Sequence, residues 1–180
     1  MSSFAFKYCQ DATLQNCYSS QFDLKYSYYE AYQESGQVGG AYIFRPSQKT
    51  RTSPLSYDTP TSASVYQGKN LLHIHLTGSK TLTDIRIYND LTNGIEVQTF
   101  IDSIYVGDSQ GKEIIMVVEA PSINNGDTFY TDSMGMEMQK RVVNYRPTWS
   151  LIVTEPVAGN YYPVQSSILI QDFASNESLT

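Results

Sequence analysis

Phe22, Leu24, Tyr26 and Tyr28 occupy every second position of one run, with Asp23, Lys25 and Ser27 between them. That period of two predicts a strand with one buried face, and it excludes a helix over the same residues. The same reading extends along the chain. Ser35 to Gly40 predicts a Gly-rich turn, and Ala41 to Phe44 a short apolar strand stopped by Pro46. Lys49 to Pro60 reads as a polar loop. Ser64–Gln67 and Leu71–Leu76 predict a hairpin around Gly68. Leu82–Tyr88 and Ile95–Ile101 predict another around Asn93-Gly94, two residues that accept positive φ. Glu113 to Glu119 is apolar on both faces, as expected of a central strand covered on both sides. Ser167 to Gln171 reads as a last strand. No stretch sustains the three-and-four spacing of a helix. About ten short strands with regular turn signals predict an all-β chain, an antiparallel β-sandwich.

The stretch from Asn125 to Val164 breaks this rhythm. It holds the only tryptophan and Pro147, Pro156 and Pro163, each of which removes a backbone donor and excludes a helix. A turn at Asn125-Gly126, a short strand over Thr128–Thr131 and a turn around Ser133–Gly135 precede a Pro- and Gly-punctuated aromatic loop.

Composition narrows the function. A net charge of −6 over 180 residues gives no basic patch, which speaks against nucleic acid as a partner. No run reaches the ~18 apolar residues of a membrane helix, and the first fifteen residues lack the apolar core of a signal peptide. Fifteen tyrosines suit pleated, half-buried surfaces and sugar-facing clefts alike. Cys9 and Cys17 are spaced too widely for a redox CxxC motif and lack the partners of a zinc site; a disulfide closing a small loop and two buried thiols are both open. Asn176-Glu177-Ser178 is the one glycosylation sequon.

Few residues advertise chemistry. His73 and His75 share one face of a predicted strand, but no nearby motif completes a metal set, so a polar row alternating with Leu72, Ile74 and Leu76 is the expectation and no metal is assigned. Asp127, Asp132, Glu137 and Glu155 supply carboxylates of the kind a glycosidase needs in pairs. Asp127 and Asp132 lie in turn contexts where Asp bonds backbone, which is the expected role for both. No nucleophile elbow, zinc-protease helix or phosphate loop is present.

Several longer blocks are more specific. FYTDSMGMEMQKR (Phe129 to Arg141), NYRPTW (Asn144 to Trp149), TEPVAGNYYPV (Thr154 to Val164) and ILIQD (Ile168 to Asp172) resemble the C-terminal β region of the glycoside hydrolase family 38 α-mannosidases, close to the lysosomal branch. GGAYIFRP (Gly39 to Pro46) resembles the opening motif of that region, usually written with Ser-Gly before Ala-Tyr, and VGDSQGKEII (Val106 to Ile115) a third block between them. The blocks keep family order from about Phe22 to Asp172. The resemblance implies a galactose-mutarotase-like supersandwich, here incomplete at its C-terminal end, with residues 1–21 a leader, 22–172 a partial β-sandwich region and 173–180 a tail.

The resemblance also implies what this chain does. Family members are retaining α-mannosidases whose zinc ligands, Asp nucleophile and acid/base Asp lie in an N-terminal barrel; none of those motifs is in this sequence. The chain is therefore expected to supply the β wall that packs on that barrel in a lysosomal or secretory enzyme acting on mannose-containing glycans, to carry no catalytic residue, and to be inactive and poorly soluble alone. Tyr42, matching the family's Gly-Ala-Tyr tyrosine, is implied to reach the sugar; the alternative is a strand tyrosine in the sandwich core. Trp149, Tyr161 and Tyr162 are expected to fill an interface rather than to stack on sugar, with Arg146 and Glu155 paired across their loop. The alternative is a non-catalytic carbohydrate-binding or scaffold module.

Overall fold

The computed structural model describes residues 2–9, 17–47, 54–88, 94–174 and 178–179. Among them twelve strands run in chain order: β1 Ser2–Cys9, β2 Cys17–Glu30, β3 Leu55–Asp58, β4 Ser62–Gln67, β5 Leu71–Thr77, β6 Thr81–Tyr88, β7 Ile95–Ile101, β8 Lys112–Glu119, β9 Thr128–Ser133, β10 Glu137–Val142, β11 Ile168–Gln171 and β12 Ser178–Leu179. The only helical element described is one turn of 3-10 helix, Ala158–Asn160. The expected all-β class with antiparallel pairing is what the chain adopts.

Two compact units divide it: Met1–Tyr28 with Leu55–Glu119, and Tyr29–Pro54 with Ala120–Thr180. In the first, β2 pairs with β1, β3 and β8, and β4-β5-β6-β7 form a meander. Phe22 and Leu24 of β2 pack with Leu76 of β5 and Ile85 of β6, flanked by Ile74, Ile87 and Val97, so the two sheets share one core. Burying an aliphatic side chain fully contributes about 1.5–3 kcal/mol, and Ile85 has no exposure at all. The Tyr26 hydroxyl crosses the core margin to the Thr83 and Thr99 hydroxyls, at 2.6 and 2.8 Å, so its buried oxygen is satisfied.

The second unit carries the sheet β10-β9-β11-β12. Its β9–β10 hairpin closes through three residues, Met134 to Met136, with Met134 and Gly135 at positive φ (54° and 69°) and the Met136 amide donating to the Ser133 carbonyl at 2.9 Å.

Four expectations need correction. Ala41–Phe44 is a tight turn rather than a strand, because Gly40 and Ile43 bond each other (N···O 3.0 and 3.2 Å) and fold the segment back. The loop expected over Lys49–Pro60 contains β3, which β2 recruits by pairing Tyr28 with Leu55. β8 is not covered on both sides: its pairing is to β2, and Met116 and Val118 are exposed. In β2 Phe22, Leu24 and Tyr26 are buried as their spacing requires, but Asp23 between them and Ser27 after them are buried too, so the strand does not keep one open face. Tyr28 is half-buried while Tyr29, the first residue of the second unit, is buried edge-on to Phe44 at 5.9 Å. The period changes where the strand passes from one packing environment to the next.

Candidate functional site

GGAYIFRP builds a small projecting turn in the second unit. Its base is tied to the end of β2 through Tyr32 N to Arg45 O, Gly39 N to Tyr32 O and Ser47 N to Glu30 O, each 2.8 Å. Gly39 is required by close approach: a Cβ there would lie 2.6 Å from the Arg45 carbonyl. Ala41 and Tyr42 occupy the tip, and Tyr42 is fully exposed in a turn, not a strand tyrosine of the core.

Arg45 clamps this turn in place, a role the sequence reading missed. Its guanidinium donates to Glu155 Oε1 from Nε (2.8 Å) with Nη2 2.7 Å away, to the Gln37 carbonyl from Nη1 (2.5 Å), and stacks 4.0 Å from the Tyr32 ring centre. Phe44 meets Tyr161 at 5.2 Å. Two blocks more than a hundred residues apart, GGAYIFRP and TEPVAGNYYPV, thus touch through an ion pair and a ring contact. Glu155 therefore pairs with Arg45 and not with Arg146 as expected. Arg146 turns instead to the carbonyls of Tyr145 and Gly159 and lies over the Tyr162 ring.

The aromatic residues separate by environment. Tyr162 packs edge-on to Phe129 at 5.5 Å and has the Arg141 guanidinium 4.8 Å from its centre, so its faces are engaged. Trp149 and Tyr161 remain mostly exposed, at 59% and 67%.

The turn carboxylates do structural work. Asp132 is buried and accepts from the amides of Gly135, Gln165, Ser166 and Ser167 and from the Ser166 hydroxyl, all at 2.8–3.2 Å. Those bonds, that of Ser166 first, outweigh desolvation and hold it well below the usual carboxylate range. Asp127 sits at φ 61° in the turn after Asn125, and Glu137 accepts from Gln139 at 2.6 Å. Lys112 grips Asp108 across the VGDSQGKEII turn at 2.5 Å.

Asp58 repeats the pattern in the first unit. Burial alone would raise it, but bonds from the Lys80 amide and the Thr81 and Ser79 hydroxyls prevail and hold it low. For a depressed carboxylate the stabilisation is complete above the unfolded pKa of about 3.9 and is lost as pH falls towards the folded value. Asp58→Asn is therefore expected to lower the denaturation midpoint evenly across pH 5–7, where the stabilisation is complete, and to flatten its fall below about pH 4. A new pH dependence centred above pH 5 would contradict that assignment.

One cluster converges beyond what spacing alone suggested. His73 and His75 face away from the core, as their alternation with Ile74 and Leu76 predicts. The carboxylate that the sequence reading found wanting arrives from β6, whose Asp84 lies opposite His75 in the β5–β6 register. Asp84 Oδ1 is 2.7 Å from His73 Nε2 and 2.8 Å from His75 Nδ1, and these bonds hold its carboxyl below the ordinary range.

Backbone register sets Cys9 opposite Cys17 across β1 and β2. The side chains of both, and Asn93 and Asn176, lie outside the described residues. Among the described residues no helix is long and apolar enough to cross a membrane.

Comparison with known proteins adds a family. The profile described as "Glycosyl hydrolases family 38 C-terminal domain" matches residues 9–179. The chain is 40% identical over 147 residues to a lysosomal alpha-mannosidase of Dictyostelium discoideum, covering 81% of this chain and 14% of that protein. Against the lysosomal alpha-mannosidase of Homo sapiens it is 40% identical over 140 residues, 77% of this chain and 13% of that one. A probable alpha-mannosidase of Arabidopsis thaliana is 34% identical over 155 residues, 82% and 15% of the two chains. The chain thus spans about one seventh of the length of the curated relatives it matches.

Proposed function

The chain belongs to the glycosyl hydrolases family 38 C-terminal domain, and we propose that it forms the β wall of a retaining α-mannosidase that removes terminal α-mannosyl residues from glycans. The names of the relatives support a lysosomal or secretory setting for that enzyme. Catalytic carboxylates and zinc ligands are assigned to a barrel outside these residues, which this chain helps to close.

The family's zinc finds no catalytic counterpart in the present donor set. Asp84 Oδ1 is held by the His73 and His75 imidazoles at 2.7 and 2.8 Å, and Glu96 by Arg86 at 2.9 Å, so no carboxylate pair stands here as nucleophile and acid.

What supports a direct role for this chain is Tyr42. Its phenol stands fully exposed at the tip of a turn whose base is held by the close-packed Gly39 and by the Arg45 clamp. Such a phenol donates or accepts a hydrogen bond to a mannose hydroxyl while its ring packs on the sugar. In the intact enzyme Tyr42→Phe is expected to lower kcat/KM for an α-mannoside by about five- to tenfold, the worth of one ordinary hydrogen bond. Unchanged kinetics would remove Tyr42 from the substrate site. The isolated chain is expected to show no α-mannosidase activity, and turnover by it alone would overturn the wall assignment.

A carbohydrate-binding module is the second reading, favoured by the exposure of Trp149 and Tyr161. Mannose binding by the isolated chain, lost in Trp149→Ala, would support it.

A further inference from the structure

We propose that His73, His75 and Asp84 form a binding site for a divalent transition-metal ion, with zinc as the probe. Each residue offers one ligand atom, and these atoms lie within 4.8 Å of one another. Zinc bonds of roughly 2.0–2.2 Å to nitrogen and oxygen need donors a few ångströms apart, so small side-chain rotations suffice to admit the ion. Two imidazoles and one carboxylate suit zinc and its neighbours better than calcium or magnesium, which prefer oxygen.

The scaffold favours this use. β5 and β6 are laddered from Leu71–Tyr88 to Thr77–Leu82, and β7 pairs with the other edge of β6, so the backbone beneath the donors is fixed. The Tyr66 ring lies 5.9 Å from that of His73 and limits its rotation. Arg86 Nη2 stands 3.7 Å from Asp84 Oδ2, which leaves Oδ1 turned to the imidazoles, while Arg86 Nη1 is taken by Glu96 at 2.9 Å and Gln98 at 3.2 Å. Two carboxylates and one guanidinium leave one net negative charge when the imidazoles are neutral, and that charge attracts a cation.

The side chains of His73, His75 and Asp84 are 28%, 32% and 13% exposed, so an ion enters from solvent and keeps water in its remaining position. Binding exchanges the two imidazole–carboxylate hydrogen bonds for three metal bonds. A neutral imidazole moves its proton to the other ring nitrogen, and an imidazolium releases one proton to water.

The test uses the full chain with a tag free of histidine, stripped by a chelator and titrated with zinc alone. One zinc ion per chain is expected. Affinity should fall about tenfold or more in His73→Gln, His75→Gln and Asp84→Asn, the scale seen when a metal site loses a supporting group. Glutamine keeps a polar side chain beside Asp84, and an unaltered circular dichroism spectrum separates loss of the ion from loss of the fold. The chain has only two histidines, so their ring-proton resonances report on the site directly, and zinc should move both. No uptake by the folded chain overturns the proposal. So does uptake that leaves both histidine signals in place, or that survives both glutamine variants and disappears in Cys9→Ser/Cys17→Ser.

Discussion

Asp132→Ala is expected to accelerate amide hydrogen exchange at Gly135, Gln165, Ser166 and Ser167 by at least about tenfold each, the rate equivalent of one ordinary hydrogen bond. The carboxylate sits at the end of β9 and gathers donors from its own turn and from the segment leading into β11. Alanine leaves those amides facing each other with no acceptor, and the repulsion is not relieved by packing. Asp132→Asn retains one carbonyl oxygen but introduces an NH₂ group where acceptors are needed, so it should recover only part of the protection. Native-state exchange read by mass spectrometry on the two peptides spanning residues 128–142 and 164–172 checks this. Unaltered protection in Asp132→Ala would mean that the amides find other acceptors and that the carboxylate is dispensable.

Ile85→Ala is expected to cost the first unit about 2–5 kcal/mol, the range for emptying a closed aliphatic site. Ile85 is the most buried large side chain described and sits where β6 meets Phe22 and Leu24 of the opposing sheet. Because β6 is held on both sides by β5 and β7, the backbone cannot move in to fill the space. Urea denaturation should show a lower midpoint with an unchanged slope. Ile85→Val, which removes one methylene, should lose about 0.5–1.5 kcal/mol. A cost below that for Ile85→Ala would show that this sandwich core is not closed.

Much of the strand pattern was legible because alternation and turn residues are local. Gly68 and the flanking runs give the β4–β5 hairpin directly, and Phe22, Leu24 and Tyr26 reach the core as their spacing requires. Features that depend on a second segment were not. Nothing near Lys49–Pro60 says that β2 will draw Leu55–Asp58 into its ladder. Arg146 and Glu155 lie nine residues apart in sequence, yet Glu155 takes Arg45 from 110 residues away. That partner is the Arg of Arg-Pro in GGAYIFRP, and no nearby sequence offers its charge a counterpart. The metal-binding set failed to show for the same reason: its third donor is across a strand, eleven residues from His73 and nine from His75. The turn role of Asp132 was legible, since its carboxylate accepts from the Gly135 amide of its own turn, but the donors from Gln165, Ser166 and Ser167 come from a segment that local reading does not see.

Trp149 is the only tryptophan of the chain, and its indole is mostly in water. Excitation beyond the tyrosine absorption band therefore reads a single indole apart from the fifteen tyrosines, located in a loop rather than in a core. Its emission should be red-shifted and readily quenched by iodide in the isolated chain. A blue shift and shielding on adding the remainder of the enzyme would report docking at that loop. A spectrum indifferent to that addition, yet altered by mannose, would report sugar instead. One optical signal thus distinguishes a wall from a lectin-like module without any turnover being measured.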